Sequence, residues 1–388
     1  MPTIHDYLRW RGDLTFDERP FNEVDNLALS ALAYLDFTGI VPAEGQDATI
    51  SLAQACTQLL AQAGDDVSAF VRSLAKIDEE FVRLLMMSDR FGDALLHSYA
   101  DEVDKQQALQ FAAVQVDLPH AGTYVAFRGT DNTIVGWREN FMLSFTVTEA
   151  QRKAARYLHR SLERTAANGQ AFYVGGHSKG GTLAEYALRS CSDEEVELVT
   201  RAYSNDGPGM ARAVIAAHGS APQQVLSDKI CRIVPAYSVI GMLFARDDEP
   251  RTIVQSNESG IAQHDLTTWQ VTHDSLVRAP GLQRDCRLLN QVIAQWMHEI
   301  PLEERAQVTK QIFDALEAGG ATSLNQIVTS PESLQPVLHA LGKTDDKTRE
   351  VALSLVQCAV GSSVEAVRTA ARRVLAKGTS NLATLPRR

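Results

Sequence analysis

The sequence lacks the long apolar segments that membrane insertion or secretion requires. It contains no uninterrupted apolar run of about 18 residues, the length that indicates a membrane-spanning helix. Its opening stretch, MPTIHDYLRWRGDLTFDERPFNEVDN, carries charges throughout and has no apolar centre of the kind found in secretory signal peptides. We therefore predict no integral membrane span and a cytoplasmic location.

Cysteine and positive charge are also scarce. The chain has five cysteines among 388 residues, and no two of them form a C-x-x-C pair, so neither a zinc site nor a disulfide framework is predicted. The formal net charge of −11 leaves no basic excess for binding a nucleic acid. The main glycine-rich segment lacks the GK[ST] ending of a phosphate-binding loop. We expect a reduced protein that needs neither a metal nor an organic cofactor.

Hydrophobic residues make up 45% of the whole chain and charged residues 22%, which is enough apolar material for a sizeable core.

The first hundred residues have the pattern of helices. Apolar side chains recur at helical spacing over 22–36, 50–63 and 68–91. We therefore predict a helical N-terminal region.

From about residue 100 the pattern changes to alternating strands and helices. Strand patterns lie at 108–118, 123–129, 171–176, 196–205, 229–235 and 251–256, and helical patterns at about 148–167 and 181–191. Strands that alternate with helices predict an α/β fold, with a mostly parallel, doubly wound sheet flanked by helices.

The last hundred residues return to helical spacing. Apolar periodicity appears at 281–298, 302–318, 346–360 and 363–377, with breaks predicted at Gly319-Gly320 and at the SPES segment, 330–333. The domain prediction therefore has three parts. These are an N-terminal helical region packed on the core (1–100), the α/β core (101–280) and a C-terminal helical region (281–388).

The most informative segment is FYVGGHSKGGTLAEYAL, residues 172–188. Gly176-His177-Ser178-Lys179-Gly180 fits G-x-S-x-G and lies between a predicted strand and a predicted helix. In that context the turn is tight, the glycines avoid clashes, and the serine hydroxyl projects above the sheet as a nucleophile. The helix start directs its N–H groups at the same place. The α/β sheet is thus predicted to be of the α/β-hydrolase type. The alternative is a glycine-rich turn with an incidental serine.

A second segment supplies a candidate oxyanion loop, and with it a family resemblance. FRGT followed by GWREN, and then GGHSKGG, resembles the pattern of class 3 lipases. In those enzymes an F-R-G-[ST] loop supplies an oxyanion residue and G-H-S-x-G-G supplies the nucleophile. Residues 3–290 are more similar to the Mbeg1-like proteins (DUF2974), a lipase-like family. The opening DYLRWRGDLTFDERPFNEVDNLALSALAYLDF, GHSKGG and a later QHD…W carry that similarity.

The resemblance implies roles for residues around the serine. Thr130 would provide the first oxyanion donor through its backbone N–H, with its hydroxyl as a further candidate, and the backbone N–H of Lys179 would provide the second. The alternative for Thr130 is a turn residue that caps the helix near 135. Arg128 and Trp137 are predicted to be structural. His177 is predicted to be structural as well, as the corresponding residue is in class 3 lipases.

The general base should be a histidine that follows the serine in the chain. The candidates are His218, His264, His273, His298 and His339. His264 lies in the polar loop NESGIAQHDLTTWQV after the last predicted strand, where a catalytic histidine is expected, and the family pattern also has a histidine there. His273 is the second choice. The other three lie in or at the end of helical patterns.

The acid is harder to place. The stretch RIVPAYSVIGMLF, where class 3 lipases would supply it, contains no Asp or Glu, and Tyr237 and Ser238 stand in its place. The best substitute is Asp206 in YSNDGPG, although an aspartate there is also typical of a turn. Asp247 and Asp248 fall in what we predict to be an exposed turn, ARDDEP. Asp265 is too close to His264 in the chain to pair with it easily.

Together these residues predict a serine hydrolase that cleaves a carboxylic ester of a lipid or another small acyl compound. Ser178, His264 and Asp206 form its triad, and Thr130 and Lys179 form its oxyanion hole. Two alternatives remain. One is a catalytically inactive protein that uses this fold for binding, favoured by the missing acid at the usual place. The other is an acyltransferase.

Overall fold

The computed structural model describes the greater part of the chain. The described residues are 1–64, 66–72, 75–104, 109–130, 134–165, 169–216, 223–246, 248–284, 286–287, 290–291, 300–321, 327, 331–344, 348–349 and 352–353. Two compact units are present: residues 1–131 with 139–290, and residues 132–138 with 291–388. The first unit contains all of the predicted site residues.

An eight-stranded sheet forms the centre of the first unit, and its strands lie side by side in chain order. The strands are β1 (Ile50–Ser51), β2 (Leu95–Asp104), β3 (Leu109–Leu118), β4 (Gly122–Phe127), β5 (Phe172–His177), β6 (Arg201–Asn205), β7 (Ile230–Pro235) and β8 (Thr252–Val254). Strands β1 to β4 pair antiparallel, whereas β4 to β8 pair parallel. A short hairpin, β9 (Val271–Thr272) and β10 (Ser275–Leu276), follows. The prediction of a mostly parallel α/β sheet flanked by helices is confirmed.

The described residues include twelve α-helices. They are α1 (Ile4–Arg11), α2 (Glu23–Leu32), α3 (Leu52–Ala63), α4 (Glu79–Met86), α5 (Ile134–Phe145), α6 (Glu149–Thr165), α7 (Lys179–Arg189), α8 (Asp193–Leu198), α9 (Arg212–Ala216), α10 (Gln223–Lys229), α11 (Leu302–Glu317) and α12 (Pro331–Leu341). Within the described residues, no helix is both long enough and apolar enough to cross a lipid bilayer.

The sheet is not doubly wound, which corrects one part of the prediction. A doubly wound sheet reverses its strand order at a switch point, whereas here the order runs from β1 to β8 without reversal. Right-handed crossovers that all advance in one direction place their helices on one face. Accordingly, Val125 and Phe127 of β4 share a core with α6 and α7. The alternate residues Tyr124 and Ala126 share the opposite core with α1 to α4.

The N-terminal region, residues 1–100, is less helical than predicted, because it also contributes β1 and most of β2 to the sheet. The strand pattern of β2 is interrupted by a register shift between His97 and Ala100, and Ser98 there has a φ of 53°. This bulge breaks the alternation of buried and exposed residues that identifies a strand in sequence. The predicted helix at 68–91 is a 3₁₀ turn, Val67–Phe70, and then α4, which begins after the capping residue Asp78.

Two further differences concern element boundaries. The segment 196–205 was predicted as one strand. A capping box between Ser192 and Glu195 instead starts α8, and β6 begins only at Arg201. In the second unit the predicted helix 302–318 is confirmed by α11. Pro331, within the segment where a break was predicted, begins α12, because proline suits the first turn of a helix. The predicted helices 281–298, 346–360 and 363–377 lie largely or wholly outside the described residues.

Candidate active site

Ser178 occupies a strained turn between β5 and α7. Its φ of 56° and ψ of −131° are outside the regions that residues with a side chain normally adopt, at a cost of about 1–3 kcal/mol. The residue is buried, and its side chain makes no capping hydrogen bond to α7. The hydroxyl is thus not engaged by the helix that follows it.

The glycines on either side make this turn possible. A Cβ on Gly176 would lie 2.5 Å from the carbonyl oxygen of Phe127, and one on Gly180 would lie 2.1 Å from the same oxygen. Both distances are far below van der Waals contact, so the elbow packs against the end of β4 only because side chains are absent. Gly181 similarly lets α7 approach Ser204 of β6, as a Cβ there would lie 3.0 Å from the Ser204 Cα.

Asp206 and His264 are joined by a short hydrogen bond. Asp206 follows β6, has a φ of 50° and is completely buried. Its Oδ2 lies 2.6 Å from Nδ1 of His264, which is also buried and ends a 3₁₀ turn, Gly260–His264. An aspartate that accepts from Nδ1 leaves the proton off Nε2, so the second nitrogen can act as a base.

Ser238 supplies the second partner of Asp206. Its hydroxyl donates to Asp206 Oδ1 at 2.5 Å, and it is fully buried beyond the end of β7. In the sequence, Ser238 stands where class 3 lipases would have an acid, and no role was predicted for it. In the structure it contacts the acid that comes from the neighbouring strand. A Cβ on Gly241 would lie 2.2 Å from the same carboxylate oxygen, so this glycine leaves space for the Asp206 side chain.

His177 has a structural position, next to the site. Its Nε2 lies 2.7 Å from the backbone carbonyl oxygen of His264, and its Nδ1 lies 2.8 Å from the hydroxyl of Tyr34. A carbonyl oxygen only accepts, so Nε2 carries the proton and Nδ1 accepts from Tyr34. Burial and the neighbouring His264 ring hold the pKa of His177 well below its usual value of 6.5. The ring is therefore neutral and makes no direct contribution as a base.

This lowered pKa predicts a loss of stability in acid. The unfolded chain would bind a proton at position 177 below about pH 6.5, whereas the folded protein would not, so stability falls as the pH drops. We expect the wild type to lose more of its free energy of unfolding between pH 7 and pH 5 than a variant without this histidine loses. Urea denaturation of the wild type and of His177→Gln at both values would measure it. Equal losses in the two proteins would contradict the assignment.

The two residues proposed for the oxyanion are fixed through their side chains to consecutive residues of α5. The Thr130 hydroxyl donates to Asn140 Oδ1 at 2.8 Å. The Lys179 ammonium donates to Glu139 Oε2 and to the Gln110 carbonyl oxygen, both at 2.7 Å. All of these side chains except that of Gln110 are buried. In the described part of the chain, neither the Thr130 N–H nor the Lys179 N–H donates to another backbone group.

The remaining residues singled out in the sequence lie elsewhere. Arg128 makes a two-pronged ion pair with Asp101 at 2.8 and 2.7 Å, as expected of a structural residue. His273 is exposed in the β9–β10 turn, and His339 is exposed on α12. Asp248 is exposed and pairs with Arg246.

Other candidates are outside the site or outside the described residues. Asp265 bonds the backbone N–H groups of Lys76 and Thr267, so it has a structural position. His218, His298 and Asp247 are not among the described residues. Across the ranges that the structure covers, no group of three or more His, Cys, Asp or Glu side chains is arranged to hold a metal ion.

Among the described residues, hydrogen bonds link Asp206, His264 and His177, but none links the Ser178 hydroxyl to His264. A hydrogen bond joins Asp206 to His264, and another joins the His264 carbonyl to the residue before Ser178. The contacts of Tyr34, Ser238 and Asn140 were not predicted from the sequence. Only for Tyr34 did the sequence carry a signal, the four-residue spacing of the polar residues at 26, 30 and 34.

Comparison with known proteins identifies the family of this chain. A comparison with curated proteins gives no match. A family model described as Mbeg1-like matches residues 85–314, which is more than half of the chain and includes the sheet from β2 to β8 and the site. The chain therefore belongs to the Mbeg1-like family, whose lipase-like character supports a hydrolase at the level of the family.

Proposed function

We propose that this protein is a serine hydrolase that cleaves a carboxylic ester through an acyl-enzyme. The observation that carries the proposal is the buried Asp206–His264 hydrogen bond beside the strained turn that presents Ser178. Strain of this kind persists only where the surrounding structure enforces it, and it is common at functional sites. A glycine-rich turn with an incidental serine would not require a buried aspartate–histidine pair beside it. The pair therefore favours a catalytic role for Ser178.

The proposed mechanism has two steps. In the first, Ser178 Oγ attacks the ester carbonyl carbon while His264 Nε2 takes the hydroxyl proton, and the alcohol then leaves with that proton. In the second, His264 takes a proton from water, the resulting hydroxide attacks the acyl-enzyme, and Ser178 recovers its proton as the acid leaves. The hydrogen bond between Ser178 and His264 belongs to this proposal, since such contacts often tighten only when substrate binds.

Asp206 has an orienting role in this scheme. Its carboxylate holds the Nδ1 proton of His264 and stabilises the positive ring that forms during each proton transfer. The hydrogen bond from Ser238 fixes the other carboxylate oxygen at 2.5 Å. With both of its oxygens held by hydrogen bonds, the carboxylate keeps its orientation towards the imidazole of His264.

The oxyanion would be bound by the backbone N–H groups of Thr130 and Lys179. The Lys179 N–H lies at the start of α7, where helix N–H groups have no partner within the helix. The Thr130 hydroxyl already donates to Asn140, so the backbone N–H is the better candidate at that residue. Donors fixed before the reaction stabilise the developing charge without rearranging.

Thr130 offers a direct test of this part of the proposal. Thr130→Val keeps the backbone N–H and the volume of the side chain but removes the hydrogen bond to Asn140. We expect kcat to fall by about ten- to hundredfold, because a displaced donor binds the oxyanion poorly. Thr130→Ser, which keeps the hydroxyl, should stay close to wild type. Similar kcat values for the Val and Ser variants would count against the role of this anchor.

The alternatives are less well supported. The inactive binding protein was favoured by the lack of an acid in VPAYSVIG, but Asp206 supplies a carboxylate to His264 from the neighbouring strand. An acyltransferase would use the same residues and differ only in its acceptor. Product analysis with added alcohols distinguishes the two outcomes, since acyl transfer would give new esters in place of free acid.

The substrate class is best tested by a hydrolysis screen. p-Nitrophenyl esters of increasing acyl length, together with one thioester and one anilide, would be offered to the wild type and to Ser178→Ala. The proposal expects turnover of at least one ester that depends on Ser178. Turnover only of the anilide would mean that the protein is an amidase and not an esterase.

We also propose a cytoplasmic location and a division of the chain into three parts at residues 100 and 280.

A further inference from the structure

Helix α2 carries a line of polar residues on a side that is otherwise apolar. Asn26, Ser30 and Tyr34 are spaced by four residues and so follow one side of the helix and of the turn after its last residue, Leu32. Every residue of α2 from Val24 to Leu32 is buried. A buried polar group is costly unless it is hydrogen-bonded, so the partners of these three residues explain why the line is present. We call Asn26, Ser30 and Tyr34 the α2 polar line.

The first two residues of the α2 polar line bind Asn205, the last residue of β6. Asn26 Nδ2 donates to Asn205 Oδ1 at 3.0 Å, and Asn205 Nδ2 lies 3.2 Å from Asn26 Oδ1 and 3.0 Å from Ser30 Oγ. Asn205 directly precedes Asp206 in the chain. Its carbonyl oxygen also accepts from the backbone N–H of Ser178 at 2.8 Å. Asn205 therefore connects α2 to both the acid and the nucleophile.

Tyr34, the third residue, binds the remaining part of the site through His177. The Tyr34 hydroxyl is 2.8 Å from His177 Nδ1, and His177 Nε2 is 2.7 Å from the backbone carbonyl oxygen of His264. The two imidazole rings also pack together, with centroids 4.5 Å apart. Because Tyr34 donates to Nδ1, it keeps the proton on the His177 nitrogen that faces the His264 carbonyl.

We propose that the α2 polar line is a positioning device that sets the relative placement of Ser178, Asp206 and His264. The inference rests on the proposed function. It adds that residues outside the segment matched by the family model, which begins at residue 85, determine the rate of the chemical step. None of the three residues touches the reacting atoms, so each acts through Asn205 or His177. Loss of a contact should lower kcat and leave KM nearly unchanged, because the groups that bind substrate stay in place.

Tyr34→Phe is the decisive variant, because it removes one hydroxyl and keeps the ring. We expect kcat for p-nitrophenyl butyrate, and the rate of labelling by a fluorophosphonate probe, to fall by about ten- to hundredfold. The matched control is Tyr157→Phe. Tyr157 is buried on α6 and its hydroxyl donates to the Ser98 carbonyl oxygen at 2.8 Å. The Tyr157→Phe variant loses a comparable hydrogen bond away from the site, so its kcat should equal that of the wild type.

Two variants of His177 separate positioning from general damage to the fold. In His177→Gln the side-chain amide can still donate towards the His264 carbonyl, whereas His177→Leu offers no donor. We expect His177→Gln to restore much of the kcat that His177→Leu loses. Melting temperatures recorded beside the rates show whether either variant is unfolded. If the substitutions acted through stability alone, kcat would fall to a similar extent in His177→Gln, His177→Leu and Tyr157→Phe.

The outcomes are distinct. A kcat loss in Tyr34→Phe that the Tyr157 control lacks, with KM unchanged, supports the inference. Equal kcat values for Tyr34→Phe, Tyr157→Phe and the wild type would overturn it while leaving Ser178 labelled and the proposed function standing. A wild-type protein that neither reacts with the probe nor cleaves any ester would overturn the proposed function, and the inference with it.

Discussion

Replacing Ser178 with alanine is expected to lower ester hydrolysis by about 10³-fold or more and to abolish labelling by a fluorophosphonate probe. The hydroxyl is the proposed nucleophile, and Ser178 is the one described residue of its type that directly follows a strand with a positive φ. Initial rates with p-nitrophenyl esters and gel detection of the label would measure both effects. Turnover near that of the wild type would exclude the mechanism.

A second substitution at the same position tests the strain itself. Alanine keeps a Cβ in a conformation with φ of 56°, so Ser178→Ala should be about as stable as the wild type. Glycine adopts that conformation without the steric cost, so Ser178→Gly should be more stable than Ser178→Ala by about 1 kcal/mol. Urea denaturation of the two inactive variants compares them directly. A less stable glycine variant would mean that the turn is not strained.

Replacing Asp206 with asparagine is expected to lower kcat by about 10⁴-fold, the loss that one serine protease shows for the same change in its triad. The amide can donate to His264 Nδ1, which would move the ring proton to Nε2 and remove the base. Asparagine also tolerates the left-handed backbone conformation at this position, where φ is 50°. The fold should therefore survive, and circular dichroism would check it.

The matched control for Asp206 is Asp248→Asn. Asp248 is exposed and forms ion pairs with Arg212 and Arg246, and an ion pair made by an exposed carboxylate contributes little to stability. It should keep the wild-type kcat. Full activity in Asp206→Asn would mean that the acid lies elsewhere or that Ser178 and His264 suffice. An unfolded Asp206→Asn would instead indicate that the residue mainly forms the turn after β6.

Much of the fold could be predicted from the sequence because its signals are local. The strand, glycine turn and helix around Ser178 are consecutive in the chain, and the apolar strands β3, β4 and β7 carry their own pattern. Strand β2 was missed because its bulge at Ser98 interrupts that pattern. The extension of the sheet by β1 and β2 depends on pairing between distant segments, which no local signal specifies.

The site was harder to predict for the same reason. Thr130 and Ser178 lie in recognisable motifs, and their catalytic roles remain predictions. The pairing of Asp206 with His264 spans 58 residues, and only the parallel register of β6 and β7 explains how Asp206 and Ser238 meet. The contact between Tyr34 and His177 spans 143 residues. Such contacts depend on how distant segments pack, which the spacing of residues in a sequence does not reveal.

The location of the fluorophosphonate adduct decides whether Ser178 is the nucleophile. The wild-type protein would be labelled, digested and analysed by mass spectrometry. We expect one modified peptide, with the phosphonate on Ser178, and no modified peptide from Ser178→Ala. An adduct on another residue, or labelling of Ser178→Ala at the wild-type rate, would contradict the claim that Ser178 is the nucleophile.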